Sequence, residues 1–191
     1  MAQRQGLDAE NVLQAAVEMA DTQGVEGLTL AALAAKLNVK TPSLYNHIKG
    51  LPDLRTQLSR RGLMLIKAAM VDAVIGKAKD DALLAVGFAY VDFARKHPGL
   101  YEAISILPDY EDPELKEAGN DVVFFLLRIL EPYGLSEEDA LHVVRGFRSM
   151  VHGFASLEHR NGFRMGLERD ESLRRLLQTY LRGLRTTESA T

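Results

Sequence analysis

Residues 29–49 read TLAALAAKLNVKTPSLYNHIK, and the spacing within them decides the fold. Leu30, Leu33, Ala34 and Leu37 form the apolar face of a short helix that Thr29 can cap. Thr41 can cap the next helix, with Pro42 at its first position, where a missing N–H does no harm. Leu44 and Ile48 lie four apart on this second helix, face inward, and can pack against Leu33 and Leu37. Gly50 ends it. Ala34 is small and lets the two helices cross closely. Asn38 falls at the turn between them, where a left-handed backbone is needed and Asn accepts it more readily than most residues. Val39 plugs the core under the turn. Two helices joined in this way form a helix-turn-helix, whose second helix enters the DNA major groove with its N-terminal end.

The outward positions of that second helix are Lys40, Thr41, Ser43, Tyr45, Asn46 and His47. Short polar side chains at the leading end let a helix approach base edges, and the two hydroxyls can meet base or phosphate. Tyr45 and Lys49 are long enough to reach the backbone beside the groove. Residues 40–61 hold Lys40, Lys49, Arg55, Arg60 and Arg61 against Asp53 alone, a local +4 on a chain of net charge −3. A basic segment on an acidic body suits a DNA-binding end attached to another domain.

Outward from this segment nearly everything reads as helix. Asp8 caps a first helix with Val12, Leu13, Ala16, Val17 and Ala20 on one face and Gly24 as its stop. Pro52 starts a long helix through Leu54, Leu58, Leu65 and Met70. Residues 76–81 read as a connection, followed by a helix with Leu84, Phe88 and Val91 that closes on Arg95 and Lys96. His97-Pro98-Gly99 breaks it, and a short helix with Leu100, Tyr101 and Ile104 follows. Residues 108–113 read as an acidic loop, and Pro113 opens a helix to about Leu130. After the turn at 132–134, Ser136 and Asp139 cap a helix to about His159. A loop at 161–165 leads to a last helix striped with Leu173, Leu176, Leu177, Tyr180, Leu181 and Leu184. The tail from Thr186 reads as frayed.

The 191 residues, 47% hydrophobic and 26% charged, supply a real core and exclude a disordered chain. The chain has no cysteine, which excludes a disulfide scaffold, a thiolate metal site and a cysteine nucleophile. No secretory leader or membrane-spanning run is present, so a reducing cytoplasm is the expected address. Of the Phe and Tyr residues only Tyr45 precedes Phe88, a shift in composition that marks two units with different jobs. The phosphate-loop, dinucleotide, zinc-protease and nucleophile-elbow signatures are all missing, and no cofactor is expected. His142, His152 and His159 share a helix, but a metal site needs a further ligand nearby, and none is expected.

The run VKTPSLYNHIK at residues 39–49 resembles the recognition helix of TetR-family transcriptional regulators. Gly24–Leu37, GVEGLTLAALAAKL, resembles that family's second helix. The likeness is specific over about Asp8–Leu58. Beyond it the layout agrees, and HPGLY at 97–101 and VHGFASL at 151–157 are similar to segments of some subfamilies. The resemblance places Thr41, Pro42, Ser43, Tyr45 and His47 at DNA-contact positions, Thr29 where a hydroxyl meets phosphate, and Leu44 and Ile48 in the core. The family often has Lys at the start of its fourth helix. Here that position falls near Leu51, so Lys49 or Arg55 has to supply the charge.

The resemblance implies an all-α chain: a three-helix DNA-binding domain at 1–52 joined to a larger helical ligand-binding and dimerisation domain at 53–191. It implies a homodimer on a double-stranded DNA operator and a repressor released by a small-molecule effector. For dimerisation the sequence offers the last leucine stripe and Leu141, Val144, Val151, Gly153 and Ala155, which could equally bury within their own chain. For an apolar or aromatic effector it offers Phe88, Tyr90, Phe93, Tyr101, Phe124, Phe147 and Phe154, positions equally suited to a core. The alternative is a helical small-molecule or protein-binding module whose helix-turn-helix does not read DNA.

Overall fold

The structure, a computed structural model, describes residues 7–106 and 111–188. The chain is all-helical: α1 (Ala9–Gln23), α2 (Leu30–Lys36), α3 (Thr41–Leu44), α4 (Leu51–Ala73), α5 (Lys79–Lys96), α6 (Pro98–Ser105), α7 (Pro113–Leu130), α8 (Glu137–His159) and α9 (Arg169–Glu188), with a 3-10 turn at Glu131–Tyr133. Two compact units result, one of Met1–Met64 with His97–Ala118, the other of Leu65–Lys96 with Gly119–Thr191. In this division α6 and the start of α7 cluster with the helix-turn-helix. The expected acidic loop falls partly on residues 107–110, outside the described residues, as does the tail from 189. Residues 186–188, expected to fray, continue α9.

In the first unit the caps expected at Asp8 and Thr29 are present. Asp8 accepts the Asn11 N–H at 2.7 Å, and Thr29 accepts the Ala32 N–H at 3.2 Å. Asn38 has φ +54. Its N–H reaches the Ala35 carbonyl at 3.1 Å, and the Val39 N–H reaches that of Ala34 at 2.9 Å. These two bonds close α2 in the Schellman manner and turn the chain into α3. Leu33, Leu44, Leu54 and Leu58 are buried beneath the turn, and each such leucine contributes about 1.5–3 kcal/mol.

Helix α6 is fastened to the end of α1. The Asp21 carboxylate accepts the Gly99 N–H at 2.8 Å, and the Glu102 carboxylate accepts the Val25 N–H at 2.7 Å. The Gly99 N–H is one of the donors that the start of α6 leaves open, and the Val25 N–H lies just past the end of α1. The buried Ser59 hydroxyl on α4 donates to the Ala103 carbonyl at 2.9 Å.

In the second unit α5, α8 and α9 share a core that includes Leu83, Val86, Phe147, Val151, Leu173 and Leu177. Gly87 has no Cβ where the Leu177 methyl groups lie, 2.7 Å from where one would stand, and so lets α9 approach α5. Tyr180 donates to the Val143 carbonyl at 2.8 Å, and burial pushes its hydroxyl pKa up. The leucine stripe of α9 buries within its own chain at Leu173, Leu177, Leu181 and Leu184, leaving only Leu176 of its leucines exposed. Val144, Val151 and Ala155 are buried likewise. The stripe points inward because α9 sits against α5 and α8, an arrangement that helical spacing cannot reveal.

Candidate nucleic-acid interface

The second helix of the helix-turn-helix is shorter than its sequence predicts. Lys40, not Thr41, takes the cap position without a side-chain bond, and α3 is helical only from Thr41 to Leu44. Turns follow, with the His47 N–H on the Leu44 carbonyl at 2.9 Å. Past these turns the carboxylate of Asp53, near the start of α4, accepts the Lys49 N–H at 2.7 Å. An acid just after Pro52 is a helix-start signal, and it could have revealed this bond.

Apart from Thr29 at the start of α2, the candidate DNA-contact residues lie at 40–49, and all of them remain accessible. Thr29, Lys40, Pro42, Tyr45, Asn46 and Lys49 are exposed, and Thr41, Ser43 and His47 are half-buried. Leu44 and Ile48 are buried, as core positions should be. The Thr29 oxygen accepts the Ala32 N–H, which leaves its hydroxyl proton to donate outward.

The basic segment is smaller than its composition. Arg60 pairs with Asp112 at 3.5 Å and with Glu114, and Arg61 pairs with Glu10. Their partners lie about fifty residues away, so no local signal announces them. Lys40, Lys49 and Arg55 remain exposed as the cations of this surface.

The candidate effector residues are divided. Tyr101 is buried in the first unit, while Phe93, Phe147 and Phe154 are buried in the second. Phe88 and Tyr90 are half-buried. The Arg174 guanidinium lies 5.2 Å from the centre of the Phe88 ring. The Tyr90 hydroxyl lies 3.4 Å from Nδ1 of His152. Phe124 stands apart from the buried aromatics on an open surface. Among the described residues no three His, Asp or Glu side chains gather to hold a metal, and no helix is long and apolar enough to cross a membrane.

Residues 83–180 match the family described as tetracyclin repressor-like, C-terminal domain. The HTH-type transcriptional regulator YobS of Bacillus subtilis (strain 168), itself uncharacterised, is 40% identical over 185 residues, 96% of either chain. The chain belongs to the TetR family. It is a helix-turn-helix transcriptional regulator and not an enzyme. The tetracycline repressor protein class D of Escherichia coli is 28% identical over 145 residues, 72% of this chain and 60% of that protein. A protein of unknown function from Rhodococcus sp. RHA1 shares the TetR-like fold with a TM-score of 0.80 at 24% identity, over 93% of this chain and 95% of the other.

Proposed function

We propose that this TetR-family regulator is a repressor that binds a double-stranded DNA operator as a homodimer and leaves it when an apolar or aromatic small molecule binds. Residues 1–52 read the DNA, and residues 53–191 carry the effector and the dimer. The observation that carries the proposal is the left-handed turn at Asn38. It holds Leu44 and Ile48 in the core while Thr41, Ser43, Tyr45, Asn46 and His47 stay accessible between Lys40 and Lys49. Two such segments related by a two-fold axis fit successive major grooves of a near-palindromic site. Repression and small-molecule release are supported by the name of the tetracycline repressor relative and by the half-buried aromatics of the second unit. The effector acts by binding more tightly to the conformation in which the two segments no longer match the groove spacing.

Anisotropy of labelled DNA from upstream of this protein's own gene, against a scrambled duplex at two salt concentrations, tests the DNA step. Tight, salt-sensitive binding to the upstream duplex alone supports it. Equal weak binding to both duplexes opposes it. Operator affinity that no apolar or aromatic compound lowers opposes release by an effector.

A further inference from the structure

An acid on a surface that meets a polyanion repels it, and removing that acid ordinarily strengthens binding. Asp53 is the one acid among residues 40–61. It is half-buried, and Lys49, four residues before it, is exposed. Its carboxylate is nevertheless occupied. One oxygen, Oδ2, accepts the Lys49 N–H at 2.7 Å and an N–H of the Gln57 side chain at 3.1 Å.

This bond falls one residue away from where helix capping would put it. Helix α4 starts at Leu51, and Gly50, whose carbonyl accepts the Leu54 N–H at 3.1 Å, is its cap residue. An acid at the third helical position ordinarily accepts the N–H of the cap residue itself. Asp53 reaches past Gly50 to Lys49, and Gln57, one turn along α4, donates to the same oxygen. Lys49 is held on both flanks as well. Ile48 before it is 3% exposed. Gly50 after it is buried with φ +132, a backbone that glycine adopts readily and other residues rarely do. With its neighbours and its own N–H fixed, Lys49 presents its side chain in one direction, and that direction is outward.

We propose that Asp53 is a positioning residue for DNA binding: it holds the backbone of Lys49 so that the ammonium group meets a phosphate, and Gln57 holds Asp53 in turn. A lysine on a fixed backbone gives up only side-chain freedom at that contact, whereas one on a loose backbone gives up both. The positioning rests on the reading of residues 40–49 as the DNA-contact segment and adds what aims their last cation.

The test titrates labelled DNA from upstream of this protein's own gene over a range of salt. It compares the parent with Asp53→Ala, Asp53→Asn, Lys49→Ala and the double variant Lys49→Ala with Asp53→Ala. Asp53→Ala is expected to weaken binding about tenfold although it removes a negative charge. Its slope of log affinity against log salt is expected to fall by about 1, as for Lys49→Ala. Asp53→Asn keeps a carbonyl that can accept the Lys49 N–H, so it is expected to bind at least as tightly as the parent, with the parent's slope. In the Lys49→Ala background the loss of Asp53 is expected to cost less than about twofold, because the two residues act as one. Asp53→Ala binding as tightly as the parent or tighter overturns the positioning and leaves Asp53 a repelling charge. An equal loss in both backgrounds, or Asp53→Asn as weak as Asp53→Ala, overturns it too and assigns Asp53 to the stability of the helix-turn-helix. Each of these results leaves the DNA reading standing. A parent that binds the upstream duplex no better than a scrambled one overturns that reading and the positioning together.

Discussion

Arg95 on α5 meets Glu158 on α8 with two edges of its guanidinium: Nε donates to Oε2 at 2.9 Å and Nη2 to Oε1 at 3.1 Å. Nη2 also reaches Asp170 at the start of α9 at 2.6 Å, so one side chain ties three helices. Glu158 is buried, and among the described residues its other cationic partner is Arg169 at 3.5 Å. Taking Arg95 away leaves a carboxylate out of water with a weak partner. Arg95→Met is expected to cost about 3 kcal/mol of stability, and Arg95→Met with Glu158→Leu to recover most of it. Urea unfolding of both variants at neutral pH checks this. A single variant as stable as the parent would show that the carboxylate is solvated despite its burial.

Gly99 is where α6 touches α1 most closely. A Cβ there would collide with the backbone of Ala20 and Asp21, atoms that cannot swing aside as a side-chain end can. The same approach brings the Gly99 N–H to Asp21 at 2.8 Å. Gly99→Ala is expected to destabilise the helix-turn-helix unit by at least about 3 kcal/mol, an overpacking loss at the upper end of the usual range. Thermal unfolding measures it, and an unchanged midpoint would mean that α6 can lift off α1 at no cost.

The contrast between these contacts and the turn at Asn38 shows what the sequence makes legible. Asn38, Thr29, Asp8 and Ser136 act within three or four residues of themselves, so their roles follow from local spacing. The helices follow because apolar residues recur at helical intervals. What spacing cannot give is the neighbour. The stripe of α9 is visible in sequence, but its burial against its own chain depends on Gly87 admitting Leu177. The loss of Arg60 and Arg61 from the basic surface depends on acids far along the chain. Composition counts those arginines as free charge, and only tertiary contact neutralises them.

His152 predicts how stability responds to acid. Burial, followed by the nearby positive charge of Arg148, lowers its pKa from the ordinary 6.5. The Tyr90 hydroxyl lies 3.4 Å from its ring. The folded ring therefore holds a proton less tightly than the unfolded one, and the unfolded chain binds more protons below about pH 6.5. Stability from this group is full above the unfolded value and is lost as pH falls through the folded one. Unfolding midpoints are expected to drop between neutral pH and mildly acidic pH, and His152→Gln is expected to flatten that part of the profile. A variant whose midpoint falls as steeply as the parent's assigns the acid sensitivity to other groups.

The ion pairs of the first unit predict which cations DNA will count. Lys49 is exposed and can exchange its counterions for a phosphate, whereas Arg61 is already held by Glu10. Lys49→Ala is expected to reduce the slope of log affinity against log salt by about 1, the value for one lost phosphate contact. Arg61→Ala should leave that slope unchanged. Tyr45→Ala removes a neutral donor, 57% exposed. It should weaken binding about tenfold at every salt concentration without altering the slope, because a phenol releases no counterion. Operator titrations of the three variants over a range of salt separate these outcomes. If Arg61→Ala lowers the slope as Lys49→Ala does, the Glu10 pair opens on DNA and Arg61 belongs to the interface.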